Sequence, residues 1–352
     1  MSRKILFILP VSSQPRFSKR INKFINDGYE VTVASFERKY FDLNTLPTNI
    51  EYHKLGQIKS GNYFKRLPQL IKSSFFLKKL ANQNDIIYIF SPDVLISLIP
   101  FIKKSIVHYE LGDIRLLKTN SLQSKAFDYL YGKALLKCFQ INVTSIKFKD
   151  YLIEKYAIQL NTINVIENKL PFNYVRSLNE QPKFRSINSD FSLGIIGLLR
   201  YKNILNFLET YVQNECSFKI KIFGDGPLTN EIMQFVDGES VIYYGQFKNP
   251  DDLFNIYNQI DISFTMYDNR DLNVRLALPN KLYESMLFQT PIIVSNNTFL
   301  SEKVKEYGVG FDWNQSEMNE LVEFMSSNEF ISYYESFRPN FEKIKQNDYS
   351  ED

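Results

Sequence analysis

Two cations follow a short apolar run in Gly194-Ile-Ile-Gly197-Leu-Leu-Arg200-Tyr-Lys202. A strand that ends in glycine and gives way to arginine and lysine near a helix start suits a diphosphate, because arginine offers a bidentate fork and lysine a point charge. A second run, Ile222-Phe-Gly224-Asp-Gly226-Pro227, puts glycine where the backbone approaches a ligand or turns tightly. The third set is Leu278-Pro279-Asn280-Lys281-Leu-Tyr-Glu284. Asn280 suits an N-cap, and the first amides of the helix it opens form an anion site. Glu284, one turn further, shares a face with Asn280 and Lys281, where a carboxylate accepts both hydroxyls of a ribose. A fourth set, His108-Tyr-Glu110-Leu-Gly-Asp113-Ile-Arg115, closes a strand in the first half with two carboxylates and a cation. Taken singly, each set is also what an ordinary capped helix or solvated loop contains.

Several chemistries are disfavoured. A dinucleotide fingerprint needs a third glycine at position 229, where Thr229 stands, and the first βα turn, Pro10 to Pro15, has none. With His53 and His108 the only histidines, a histidine-based hydrolase triad is hard to assemble. Cys138 and Cys216 each sit in an apolar run, which predicts buried small hydrophobes in a reducing compartment. No secretory leader is legible, and the apolar stretch from Ile86 to Ile102 is broken by Ser91-Pro-Asp93 and Pro100. A membrane span needs about 20 mostly apolar residues. The formal charge of +3 hides an asymmetry: residues 1–180 hold 27 Lys/Arg against 14 Asp/Glu, and residues 181–352 hold 15 against 25. The basic half is expected to meet something anionic, phospholipid or a phosphorylated acceptor, and nothing points to nucleic acid.

The elements that must carry these residues alternate. Ile5–Pro10, Glu30–Ser35, Ile86–Phe90, Ser105–Tyr109 and Ile141–Val143 read as strands. The stretches Arg16–Asn26, Phe64–Leu80 and Ser121–Leu136 have helical length, Gly28 follows the first of them as a C-cap does, and Ser145 suits the N-cap of Ile146–Tyr156. After a polar stretch the alternation restarts with Phe191–Ile196, Phe218–Phe223, Val241–Tyr244, Ile260–Phe264 and Pro291–Val294. This predicts an α/β protein of two doubly wound, Rossmann-like domains facing a central cleft. The expected boundaries are 1–176 for an N-terminal domain, 177–190 for a linker, and 191–326 for a C-terminal domain. A helical tail at 327–352 is expected to pack back on the first domain.

From Phe191 to Gly310 the order and spacing of the three C-terminal sets together resemble the GT-B glycosyltransferases, in particular the large retaining family 4. Gly197 with Arg200 and Lys202, then Gly224-Asp-Gly226-Pro227, then Pro279-Asn280-Lys281 with Glu284, match that family's G-x-x-R, G-x-G-P and P-x-K-x-x-E stretches. A looser similarity reaches back to Lys4. The resemblance implies a retaining, metal-independent hexosyltransferase that moves a sugar from a nucleotide-sugar donor, with no cofactor and no metal; the chain has no Asp-x-Asp motif. It further implies donor binding by Gly197, Gly224, Gly226, Pro279, Asn280, Lys281 and Glu284. Arg200 and Lys202 would stabilise the departing diphosphate, Asp113 would orient or assist the acceptor, and Glu110 and Arg115 would lie on the acceptor side. The acceptor would be a saccharide or polyprenyl-linked, as in capsule, exopolysaccharide or O-antigen synthesis at the cytoplasmic face. The sequence departs from the family at Leu276, where the first glutamate of an E-x7-E pair stands, and at Gly112-Asp113, where the family has His-Asp. A non-catalytic partner subunit and a sugar-nucleotide 2-epimerase of the same fold are the alternatives.

Residues 59–80 contain Lys59, Lys65, Arg66, Lys72, Lys78 and Lys79 and no acid. Phe64, Leu67, Ile71 and Phe75 recur at helical spacing as one apolar stripe. That stripe is either the inner face of a core helix or a basic, aromatic edge resting peripherally on anionic lipid.

Overall fold

The computed structural model describes residues 3–11, 15–37, 46–47, 50–58, 66–102, 106–114, 121–178, 180 and 182–351. The chain forms two compact units, Met1–Glu167 and Asn168–Asp352.

The first unit is built on β1 (Lys4–Leu9), β2 (Glu30–Glu37), β3 (Glu51–Gln57), β4 (Ile86–Ile89), β5 (Val107–Leu111), β6 (Gln140–Val143) and β7 (Ile163–Val165). These run parallel in the order β3-β2-β1-β4-β5-β6-β7. The apolar residues of β1 and β2, among them Ile5, Phe7, Leu9, Val31 and Val33, pack against Phe17 and Ile21 of the helix Pro15–Asn26. Each such side chain contributes about 1.5–3 kcal/mol by leaving water. Ser145 caps its helix as expected, its hydroxyl accepting from the Lys147 amide at 3.2 Å. Strand β3 was not evident from the sequence: as an edge strand it buries Leu55 while most of its side chains stay partly or fully exposed. Such a strand carries little of the apolar signal by which strands are recognised.

The second unit contains β8 (Leu170–Pro171), β9 (Ser192–Ile196), β10 (Lys219–Phe223), β11 (Val241–Gly245), β12 (Ile262–Thr265), β13 (Ile292–Ser295), β14 (Gly310–Trp313) and β15 (Ser350–Glu351). Its main sheet is parallel in the order β11-β10-β9-β12-β13-β14, the same winding as the first, with β15 paired to β8 separately. In both sheets the order reverses beside the first strand, between β1 and β4 and between β9 and β12. Open parallel sheets bind ligands beyond the carboxyl ends of the strands at such a reversal.

The segment expected to be a linker is largely docked on the second unit. Arg185 donates to Asp261 at 3.2 Å and to the carbonyls of Asn258 and Tyr257 at 2.8 and 3.0 Å. Phe184 is buried against Tyr334 and Phe341. The tail after residue 326 packs on this same unit, with Phe330, Tyr334, Phe337 and Phe341 in its core and the Tyr334 hydroxyl donating to the Asp261 carbonyl at 2.9 Å. Lys169 donates to the Asn347 carbonyl at 2.7 Å. The start and end of the second half thus close on one another, and the unit begins at Asn168, ahead of the expected boundary.

Candidate functional site

In the second unit the loops leaving β9 and β10 touch backbone to backbone. The Leu199 amide donates to the Asp225 carbonyl at 3.1 Å, and the Leu228 amide to the Leu199 carbonyl at 3.0 Å. A Cβ on Gly224 would stand 1.8 Å from the Gly197 carbonyl oxygen, and one on Gly226 would stand 2.5 Å from that of Leu199. Gly224 also has φ +142°, which side chains disfavour. These glycines therefore let two loops close on each other. Asp225 fastens the second loop, accepting from the Gly226 amide and Thr229 hydroxyl at 2.7 Å each and from Gln246 at 2.9 Å. The Thr229 and Gln246 hydrogen bonds hold its carboxyl below the usual aspartate range.

This closure presents Arg200 and Lys202 at the surface, with Lys202 immediately before the helix Asn203–Gln213. Arg200 donates to the Tyr201 hydroxyl at 2.8 Å and lies 4.8 Å from its ring centre. Tyr201 in turn stacks on Tyr267 at 4.7 Å. Tyr267 leaves the carboxyl end of β12, so the Arg200 loop and Tyr267 flank the reversal point of the sheet. Burial pushes the Tyr267 phenol up; the nearby Arg200 pulls it back down, and Glu284 raises it again. A polar web holds these strand ends: Asn203 donates to the Met266 carbonyl at 3.2 Å and to Gln315 at 3.0 Å, and Ser295 donates to the Tyr267 carbonyl at 2.5 Å.

Glu284 is 0% exposed on the helix Lys281–Phe288. Its Oε2 accepts from the Tyr257 hydroxyl at 2.9 Å and from the Lys281 ammonium, and its buried Oε1 makes no hydrogen bond among the described residues. Tyr257 and Lys281 are themselves buried. The Asn280 side chain does not cap the helix, and its backbone is already helical at φ −58°, ψ −17°. The turn opens with the Pro279 and Asn280 carbonyls, which accept from the Leu282 and Glu284 amides at 3.2 and 2.9 Å. Leu276 ends a short helix, Leu272–Leu276, that Asp271 caps through the Asn273 amide at 3.0 Å.

In the first unit the expectation for Glu110 is corrected. It is 1% exposed, and its Oε2 accepts from Arg20 at 3.0 Å and from the Tyr88 hydroxyl at 2.6 Å. Asn142 donates to that same hydroxyl at 2.6 Å. As a β5 residue beside Asn142 of β6, Glu110 belongs to a buried polar network and not to an acceptor loop. Asp113, two residues past the strand, is partly exposed. Arg115 lies outside the described residues. No group of three or more His, Cys, Asp or Glu among the described residues is placed to hold a metal.

The tyrosines 201, 257 and 267 were missed from sequence. A tyrosine after an apolar strand is ordinary core composition, and only the fold sets Tyr201 between Arg200 and Tyr267 and Tyr257 against Glu284.

Residues 190–325 match the family described as glycosyl transferases group 1. No curated protein matches the chain. Among solved structures, HepE from Anabaena in complex with UDP-glucose is similar at 15% identity, with a TM-score of 0.68 over 99% of this chain and 95% of that one. A glycosyltransferase from Rickettsia africae is similar at 15% identity, with a TM-score of 0.64 over 99% and 94%. The lipopolysaccharide outer core galactosyltransferase WaaB is similar at 15% identity, with a TM-score of 0.61 over 97% and 96%. The chain therefore has the GT-B fold of two Rossmann-like domains, and residues 190–325 of its second unit are similar to the glycosyl transferases group 1 family.

Proposed function

We propose that this protein is a glycosyltransferase that takes a sugar from a nucleotide-sugar donor held by the second unit. The observation that carries the reading is that the glycine-closed loops after β9 and β10 present Arg200 and Lys202 at the reversal point of the parallel sheet, with Arg200 held on Tyr201, which stacks on Tyr267. The ribose would donate its hydroxyls to Glu284, whose Oε1 is the acceptor still to be satisfied. The diphosphate would lie against Arg200, Lys202 and the start of the helix Lys281–Phe288, beside the loops closed by Gly197, Gly224 and Gly226. Pro279, Asn280 and Lys281 set the entry to that helix. Negative charge grows on the leaving diphosphate as the glycosidic bond breaks, so fixed cations lower the barrier without a protein nucleophile or a metal. Asp113 would orient the acceptor hydroxyl. Retention of anomeric configuration is part of the reading, and the anomeric proton coupling of the product tests it.

The acceptor is proposed to be a saccharide or lipid-linked saccharide of cell-surface polysaccharide synthesis, reached at the cytoplasmic face of a membrane. The helix Leu67–Ala81 supports this. Its inner face is Leu70, Leu77 and Leu80, while Ile71 is 58% and Phe75 81% exposed beside Lys72, Lys78 and Lys79. The expected stripe therefore faces solvent at Ile71 and Phe75; Phe64, Lys59 and Lys65 lie outside the described residues. Arg66 is corrected: it is buried in an ion pair with Asp93 at 3.1 Å and adds nothing to a basic surface. Among the described residues no helix is long and apolar enough to cross a membrane.

Incubation with nucleotide sugars and candidate acceptors tests the activity. Release of nucleoside diphosphate that requires an acceptor is the expected result. Conversion of the free nucleotide sugar without acceptor would identify an epimerase, and binding without turnover a partner subunit.

A further inference from the structure

A cavity of about 270 Å³ opens within the first unit, beyond the carboxyl ends of β4 and β5, where Pro92, Leu111 and Asp113 line one side. The other side comes from the helices Leu122–Leu135 and Ile146–Tyr156, which contribute Asp128, Tyr131, Tyr151, Lys155 and Tyr156. The Tyr156 ring stands edge-on to Tyr131 at 5.7 Å and to Tyr151 at 6.3 Å. Gly132 makes room for it, since a Cβ there would meet the ring at 2.7 Å. The Tyr156 hydroxyl donates to Asp128 Oδ1 at 2.6 Å, and Lys155 donates to the same oxygen at 2.7 Å and to the Tyr151 hydroxyl at 3.1 Å. Burial and the Asp128 hydrogen bond push the Tyr156 phenol up, so it stays a neutral donor.

We infer that this pocket holds one neutral glycosyl unit of the acceptor, an inference that rests on the transferase reading above. A pyranose presents apolar C–H faces and several hydroxyls, each a donor and an acceptor. Aromatic walls match the faces, and carboxylate oxygens match the hydroxyl donors. Among the described residues Asp128 accepts from both of its partners through Oδ1, which leaves Oδ2 for a sugar hydroxyl, and Asp113 lines the same cavity. Lys155 offsets the charge of Asp128, so the pair recognises hydroxyls without attracting anions. Among the described lining residues two carboxylates stand against Lys155 and Lys125, so the described lining carries no excess positive charge for a phosphate. The volume suits a single ring, and the position puts that ring at the ligand-binding edge of the sheet.

The test is ligand-observed NMR on the full chain with methyl α- and β-glycosides of glucose, galactose and mannose, and with inorganic phosphate as the anionic probe. At least one glycoside should bind, and its Kd should rise at least about tenfold in Asp128→Asn and Tyr151→Ala, as expected for loss of a hydrogen bond to a charged group or of a ring face. Titration of the same samples with nucleoside diphosphates separates the two readings. Nucleotide binding without glycoside binding overturns the pocket alone. Glycoside binding without nucleotide binding overturns the transferase reading and leaves the pocket a saccharide site. Glycoside affinity unchanged in both variants, or phosphate binding in place of glycosides, overturns the assignment.

Discussion

Glu284 and Lys281 form a buried pair, so the choice of substitution decides what is measured. Glu284→Ala leaves the Lys281 ammonium without a counter-charge and should cost about 3–5 kcal/mol of stability, visible as a lowered urea midpoint. Glu284→Gln keeps the shape and a hydrogen bond from Tyr257. It should fold, yet weaken nucleoside diphosphate binding by about 1.5–3 kcal/mol in calorimetric titration. Nucleotide affinity unchanged in that variant removes Glu284 from the ribose. Arg200→Ala and Lys202→Ala change exposed side chains, so stability should move by less than about 0.5 kcal/mol. Their kcat should fall more than KM rises, because the charge they meet grows in the transition state. A rise in KM alone would make them ground-state contacts. At this scale Arg200, Lys202 and Glu284 stand out in the sequence because each puts a charge in a motif, and the measurements above decide their roles. The sequence misled at Glu110: a carboxylate near a strand end reads as a loop charge until its partners Arg20 and Tyr88, distant in sequence, are brought beside it.

The loops after β9 and β10 are one element in energetic terms, since their backbones interlock. Gly224→Ala forces a Cβ onto the Gly197 carbonyl at a φ of +142°, so the loops must part. Backbone strain of this kind costs about 1–3 kcal/mol, and the variant should lose nucleotide affinity together with stability. Retention of both would mean the loops do not act together. On β5, burial holds the His108 imidazole below its ordinary range, and the ring stacks on Phe139 at 5.7 Å. The unfolded chain therefore binds this proton more readily than the folded one. The stabilising contribution is complete above the unfolded value near 6.5 and is lost as pH falls from there toward the folded value. Urea unfolding should show a larger loss between pH 7.5 and 5.5 in the wild type than in His108→Gln, and equal losses would contradict this. The alternation of strands and helices was legible because buried parallel strands are continuous apolar runs. Strand β3, exposed at an edge, and β14, only Gly310-Phe-Asp-Trp313, lack such runs. The polar stretch before β9 read as a linker because its anchors, Arg185 and Phe184, work through carbonyls and rings of the tail that no local pattern reveals.

For the whole molecule, the charge asymmetry seen in the sequence has a structural counterpart in the solvent-facing lysines and aromatic residues of the helix Leu67–Ala81. Cosedimentation with anionic vesicles should be strong at low salt and weaken at high salt, since the charges are screened within about 8–10 Å at physiological strength. Lys72→Ala/Lys78→Ala/Lys79→Ala and Phe75→Ala should each reduce it. Equal binding to neutral and anionic vesicles, or binding to neither, contradicts a basic membrane face. The central claim is that the second unit is a nucleotide-sugar site. Thermal unfolding of the full chain across nucleoside mono- and diphosphates and their sugar conjugates tests it most directly, because a ligand of the folded state raises Tm with the logarithm of its concentration over Kd. One nucleoside diphosphate and its sugar conjugate should raise Tm more than the monophosphate, and the difference should shrink in Arg200→Ala. No shift with any nucleoside diphosphate at millimolar concentration, or one that Arg200→Ala leaves intact, would contradict it.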